Sequence, residues 1–321
     1  GKTVYQTNFT VADECLQATV AKKNHHGFLS PRCSHRGGKS SALSPPLPAL
    51  LPAAFDLRTE YLPSKYALSL GPIPRFSWKV PLIEGKGNRG VDQFAYHLIV
   101  RGGTGDKQIV WDSGMVYSNA SSLVRFGGKD SLQPDTSYTW TVQWWSSKAF
   151  ASGVSSVASF DLGLLKAKDW SGAKWIGGEG HRLLRVYVSS SVLTGSIVRA
   201  RAHVSAPGCV VLSVNGNRHN QSASGICPWT NFNKTIYYSS YDVLNFLSTG
   251  SSGGGKNSND NGHGNVFGFM LGHGMYTRYT KAAPSIKVKI TLDTADGRYV
   301  CATGSGGGSS SSSSSRKQNS I

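Results

Sequence analysis

Large apolar side chains recur at every second position along much of this chain, and that period confines it to strands. In "YTWTVQWW" Tyr138, Trp140, Val142 and Trp144 share one side, while Thr139, Thr141 and Gln143 take the other. "FAYHLIV" sets Phe94, Tyr96, Leu98 and Val100 against Ala95, His97 and Ile99 in the same way. Successive side chains of a strand point to opposite faces, so each segment predicts a strand with one face in a core. Shorter strands follow at "LVRF" (Leu123 to Phe126) and "VASFDL" (Val157 to Leu162), with Gly, Pro and Asp between them at sandwich spacing. Helical periodicity is almost absent. The fold class is all-β.

Two blocks carry this pattern. The first spans 55–165, the second 166–301, and neither repeats the other. Strands of the second block read as "LLRVYVS" (Leu183 to Ser189), "IVRARAHVSA" (Ile197 to Ala206), "CVVLSV" (Cys209 to Val214), "VFGFML" (Val266 to Leu271) and "SIKVKITL" (Ser285 to Leu292). A long all-β block with wide loops predicts a jelly roll there. In the first block, "LQPDTSYTWTV" is the sharpest local signal. Leu132, Pro134, Thr136 and Tyr138 at spacing two resemble the tyrosine corner of fibronectin type III-like sandwiches, where the Tyr hydroxyl bonds back to the backbone. Asn215-Gly216 fits a tight hairpin turn, since both central positions take positive φ. "IVWDSGMV" places Asp112, Ser113 and Gly114 at a turn or bulge, with Asp112 as scaffold.

Three segments lack the pattern. Residues 1–54 mix Gly, Ser, Pro and scattered His and predict a disordered lead, and 302–321 form a Ser/Gly tail. A Gly/Ser/Asn insertion, 251–264, interrupts the second block as a flexible loop. No run of about 18 apolar residues occurs, so no segment reads as a membrane span. The chain opens on Gly1 rather than Met, which leaves its compartment open.

The net charge of +17 raises a nucleic-acid or polyanion reading. Its main source is 163–302, with 15 basic against 6 acidic side chains. These are dispersed, many at alternate strand positions such as Arg199 and Arg201, with no basic run or zinc-finger pattern, which points to a scattered basic surface. Five cysteines (Cys15, Cys33, Cys209, Cys227 and Cys301) show no CxxC spacing, which argues against zinc. Cys209 and Cys227 can pair in an oxidising compartment, but buried free thiols are the more ordinary fate. Sequons stand at Asn8, Asn119, Asn220 and Asn233, about as many as chance supplies in so Asn- and Ser-rich a chain.

Catalytic chemistry finds little support. A glycosidase needs two carboxylates about 5 to 9.5 Å apart across the scissile bond. The only glutamates are Glu14, Glu60, Glu84 and Glu179, and no two share a strand face. Asp106, Asp112, Asp130 and Asp135 sit in turn company. The nine His lack ligand spacing, and no nucleophile has a recognisable base. What remains is binding. Trp144 reads as core, Trp145 points to the opposite face, and Trp229 sits on a polar loop. Trp229, Trp145, Asn215 and Tyr276 are the candidate carbohydrate contacts.

In order along the chain stand "DLRTEY", "PRFSWKV", "FAYHLIV", "IVWDSGMV", "LQPDTSYTWTVQ", "FDLGLL", "DWSGAKWIG", "LLRVYV", "ARAHVSAPGCVVLSVNGNR", "CPWTNFNKTIYYSSYDV" and "NVFGFMLGHGMY". This series, from about Phe55 to Tyr279, resembles the N-terminal region of bacterial-type α-L-rhamnosidases of glycoside hydrolase family 78. The resemblance implies a fibronectin-like sandwich followed by the rhamnosidase N-terminal jelly roll, ahead of a catalytic (α/α)₆ barrel that lies outside this sequence. It implies a noncatalytic accessory region that binds a rhamnose-containing glycan or braces the barrel in cis; a stand-alone lectin-like module is the alternative. The parent reaction would be inverting hydrolysis of terminal α-L-rhamnosyl groups. No position here receives the family's catalytic residues, and calcium, used by some relatives, has few acidic residues to bind it. Three departures stand out. Met275 replaces a Trp in "LGHGMY", Cys227-Pro228-Trp229-Thr230 replaces a Gly-bearing turn, and the insertion splits Gly250 from Asn265.

Overall fold

The computed structural model describes residues 51–82, 92–102, 108–148, 150–180, 182–188, 196–220, 227–248 and 264–304. Most of the expected lead, insertion and tail therefore lies outside the described residues. Residues 51–54 do not behave as lead. Leu51 bridges Ser152, Ala54 is buried, and the Pro52 carbonyl accepts the Trp144 indole N–H at 3.0 Å.

The first block is a two-sheet sandwich. A three-stranded sheet runs β1 (Phe55–Thr59), β2 (Arg75–Lys79), β5 (Val124–Arg125). A four-stranded sheet runs β4 (Gln108–Tyr117), β3 (Gln93–Gly102), β6 (Ser137–Ser146), β7 (Ala158–Asp161). All pairs are antiparallel. The alternation places Phe76, Trp78, Leu98, Trp140, Trp144 and Phe160 in one core between the sheets. Trp144 is fully buried, and Trp145, on the opposite face, is half-buried.

Two features of this block follow directly from local sequence. The Tyr138 hydroxyl accepts the Gln133 backbone N–H at 2.7 Å, which closes the predicted corner. Gly114 has φ 58°, and the β3–β4 register slips between His97 and Ile99, so Asp112-Ser113-Gly114 is a bulge within a continuing strand. Asp112 accepts the Gly114 N–H at 2.8 Å and lies 2.6 Å from His97 Nε2. The Gly114 hydrogen bond and then His97 hold its carboxyl below the usual range. One expectation fails. Phe94 belongs to the core face by simple alternation, yet it is exposed. The β3–β6 register slips between Gln93 and Ala95, and this irregularity turns Phe94 outward while Gln93 is buried beside Trp78, whose indole N–H it accepts.

The second block is also a two-sheet sandwich. One sheet runs β13 (Tyr238–Asp242), β10 (Ile197–Ser205), β15 (Ser285–Thr294), β16 (Gly297–Ala302), with β8 (Ile176–Gly177) also on β15. The other runs β12 (Asn217–Arg218), β11 (Cys209–Val214), β14 (Asn265–Gly272), β9 (Leu183–Val188). Val204, Val210, Leu212, Phe267, Phe269 and Ile290 are among its core side chains. Asn215 and Gly216 take φ 51° and 81°, the predicted hairpin turn. The short α1 (Gly274–Thr280) was hidden from periodicity, since its seven residues expose a mixed surface and follow a glycine-rich run.

Cys209 and Cys227 form a disulfide, with Cα atoms 4.1 Å apart. The free-thiol expectation for this pair is thereby corrected. Cys209 opens β11, and the Cys227 loop folds back over it, which the spacing of 18 residues alone does not reveal.

Candidate functional site

Strand β10 carries a double pattern. Ala200, Ala202 and Val204 enter the core of the second sandwich, and Arg199, Arg201 and His203 occupy the other face. That other face is not solvent. Arg199 and Arg201 are only 7% and 9% exposed, because loops of the first sandwich cover the sheet. The reading of these cations as part of a dispersed basic surface is therefore corrected.

Two aspartates of the first sandwich meet them. Asp135 lies on the corner loop that Tyr138 pins, and Asp161 ends β7. Arg199 donates to Asp135 at 3.0 Å, to Asp161 at 3.1 Å and to Asp293 at 3.0 Å. Arg201 donates to Asp161 at 2.5 Å and pairs with Asp242 at 2.8 Å. Asp135 also receives Lys289 Nζ at 2.8 Å and the Thr291 hydroxyl at 2.7 Å, and His203 Nε2 lies 3.0 Å away. Beside this cluster the Tyr238 hydroxyl accepts the Leu164 N–H at 2.8 Å.

Burial alone would raise the Asp135 carboxyl pKa. The hydrogen bond from His203 and the charges of His203, Lys289 and Arg199 outweigh it and hold the group well below the usual carboxylate range. For Asp161 burial is again opposed, by Arg199, Arg201 and the Ser137 hydroxyl, and the carboxyl stays low. Burial works against the Arg199 guanidinium, but Asp161, Asp135 and Asp293 hold it firmly charged. Asp135, Asp161 and Arg199 are therefore all held in their charged forms. A buried charge set of this kind fixes geometry more than it adds net stability. Its carboxylates are consumed by structure and are not available as acids or bases.

The candidate carbohydrate contacts fall in different places. Trp229 stands on the loop after Cys227 and is 68% exposed, with Tyr279 of α1 beside it, 61% exposed. Their ring centroids are 6.3 Å apart and the planes differ by 29°, a loose stack of two exposed rings. Phe232 meets Tyr276 edge-on at 5.2 Å, a second aromatic tie from the same loop to α1. The disulfide anchors the loop at its start. Gly274 opens α1 against that disulfide with φ 54°, and an added Cβ would sit 3.1 Å from Cys209 Sγ, so glycine suits the position on both counts. Tyr276 thus buttresses the platform and Trp229 exposes it.

Asn215 and Trp145 lie apart from this platform in their bonding. The Asn215 side chain donates to Phe246 O at 2.9 Å and Asn265 Oδ1 at 2.8 Å, and accepts the Val266 N–H at 2.8 Å. Trp145 sits in the first sandwich, opposite Ala95. Tyr279 escaped the sequence reading. Its spacing of three from Tyr276 puts both on neighbouring positions of a helix, a signal that exists only once the helix is known. Among the described residues, no group of three or more His, Cys, Asp or Glu is arranged to hold a metal ion.

The described residues thus form two antiparallel β-sandwiches in tandem, joined through a buried charge cluster. The family descriptions agree: "Rha78A-like, N-terminal immunoglobulin domain" matches residues 55–166, and "Alpha-L-rhamnosidase N-terminal domain" matches residues 195–298. Each of the two sandwiches thus matches a domain description of the N-terminal region of α-L-rhamnosidases. The chain is 27% identical over 245 residues to an α-L-rhamnosidase of Formosa agariphila, covering 70% of this chain and 25% of that one. It is 30% identical over 190 residues to an α-L-rhamnosidase of an Alteromonas species, covering 54% and 20%. Among solved structures, the α-L-rhamnosidase from Dictyoglumus thermophilum superposes with a TM-score of 0.63 at 25% identity, over 78% of this chain and 29% of that one. That of Aspergillus terreus shares the fold, with a TM-score of 0.56 at 19% identity over 78% and 28%. The chain spans a quarter or less of the length of the curated relatives it matches.

Proposed function

We propose that this chain is a noncatalytic accessory region which presents a rhamnose-containing glycoside to a catalytic domain in cis. The observation that carries the binding half is the exposed Trp229–Tyr279 platform, tied down by the Cys209–Cys227 disulfide and the Phe232–Tyr276 contact. Aromatic faces of this size offer apolar area to the C–H side of a pyranose ring, and a fixed platform loses little entropy on binding. Tyr276 acts through its packing, and Asn215 acts by holding the hairpin against Phe246 and Asn265.

The noncatalytic half is supported by the fate of the carboxylates. Asp135, Asp161, Asp242 and Asp293 are tied to Arg199, Arg201 or Lys289, and Glu60 is bidentate to Arg75. An acid and a base facing one scissile bond would need two carboxylates free of such partners. Bracing the catalytic domain is the role for the locked sandwich pair, because a buried charge set fixes one relative placement. Incubating the purified chain with an aryl α-L-rhamnoside tests the reading: no release of phenol above buffer is expected. Turnover that disappears when a residue of this chain is substituted would defeat it.

A further inference from the structure

Phe94, turned out of the core by the β3 irregularity, meets Tyr117 at the end of β4. Their ring centroids are 5.6 Å apart at 65°, and both are exposed. Two residues on stands Asn119, the acceptor position of the sequon Asn119-Ala120-Ser121. Tyr117 and Asn119 border the same space. That space is a surface cavity of about 310 Å³, lined by Asp92, Gln93, Phe94, Tyr117, Asn119 and Ser147 among others. Asn119 is exposed, and its carboxamide makes no hydrogen bond among the described residues.

The backbone around it is held still. Buried Gln93 donates from Nε2 to Ser118 O at 3.1 Å and to Ala120 O at 2.9 Å, and Ser121 O accepts the Trp78 N–H at 2.9 Å. A sequon on a fixed, outward loop, with an unoccupied amide beside an aromatic pair and a polar hollow, is suited to carry a sugar rather than merely to tolerate one. The disulfide Cys209–Cys227 is independent support, since such bonds form in the oxidising compartments where N-linked glycans are added.

We propose that Asn119 is an N-glycosylation acceptor, and that the first N-acetylglucosamine of its glycan lies in this hollow against Tyr117 and Phe94. The donor is a lipid pyrophosphate-linked oligosaccharide. Asn119 Nδ2 forms a bond to the sugar C1, the C1–O bond to pyrophosphate breaks, and the amide loses one proton as the lipid pyrophosphate leaves. The apolar face of the sugar covers the two rings, and Asp92, Gln93 and Ser147 meet its hydroxyl and acetamido groups. The exposed sequon Asn233-Lys234-Thr235 is the internal comparison, because Asn231 stands two residues before Asn233 where Tyr117 precedes Asn119.

The experiment is secretion of the chain from a eukaryotic cell line, with peptide masses read before and after enzymatic release of N-glycans, which converts a linked Asn to Asp. The expected result is conversion at Asn119, lost in Asn119→Gln. Tyr117→Ala and Phe94→Ala keep the sequon but lower occupancy at Asn119, with occupancy at Asn233 unchanged. Both side chains are exposed, so these variants retain the fold, and retention of the disulfide confirms it. An unmodified Asn119 in secreted, disulfide-bonded protein overturns the proposal. So does full occupancy that neither aromatic substitution alters, which would reduce Tyr117 and Phe94 to bystanders.

Discussion

Arg199 of the second sandwich donates to Asp135 of the first at 3.0 Å, and both side chains are shut away from water. Because Asp135 also takes Lys289, Thr291 and His203, removing its charge strands several buried donors at once. Asp135→Ala is expected to destabilise the protein by about 3–5 kcal/mol, the range for breaking one side of a buried pair. Denaturant unfolding would show it. A loss below 1 kcal/mol would mean the cluster is incidental to the joined state.

The two depressed carboxylates give a pH dependence of definite sign. In the unfolded chain Asp135 and Asp161 return to their ordinary value of 3.8, whereas in the folded protein both lie lower. As pH falls past that value the unfolded state takes up protons first, so stability falls with falling pH. The contribution is complete above about pH 5 and drains away below about pH 4. Unfolding midpoints measured between neutral and strongly acid pH should decline in that lower window. A flat profile in wild type, or the same decline in Asp135→Ala, would contradict it.

Tyr138 supports Asp135 indirectly, by fixing the corner loop through its hydroxyl and the Gln133 N–H. Tyr138→Phe keeps the ring in the core and loses that bond together with the long 3.5 Å hydroxyl contact to Gln133 O, so a cost of about 1 kcal/mol is expected. Hydrogen exchange should quicken at Gln133 and around Asp135. Unchanged exchange there would separate the corner from the charge cluster.

Reduction of Cys209–Cys227 should loosen the Trp229 loop before it unfolds the sandwich. The loop closed by the bond is 18 residues long, so the paired serine variant should lose about 3 kcal/mol. The near-ultraviolet signal of Trp229 against Tyr279 should fall as well, and its persistence would show that Phe232–Tyr276 alone holds the platform.

What could be read in the sequence was what local geometry dictates. Tyr138, Asn215-Gly216 and the Trp140/Trp144 alternation each announce a backbone state within a few residues. Arg199 and Arg201 did not announce their burial, because a cation at alternate strand positions reads the same facing water or facing aspartate. Their partners, Asp135 in turn-like sequence and Asp161 at the end of a strand, lie some tens of residues earlier, and only the docking of the sandwiches joins them. Trp229 was visible as a loop aromatic. Tyr279 was not, since α1 is too short to leave a period, and Phe94 was misplaced by a one-residue register slip that alternation cannot signal.

The proposed binding of a rhamnoside rests on the exposed Trp229–Tyr279 pair. Calorimetric titration of the chain with L-rhamnose and a rhamnose-terminated oligosaccharide tests it most directly, in wild type, Trp229→Ala and Trp145→Ala. Saturable heat in wild type is predicted, weakened at least tenfold by Trp229→Ala, a loss of about 1.4 kcal/mol. Trp145→Ala should bind as wild type. No heat in wild type, or binding indifferent to Trp229→Ala, would contradict the account.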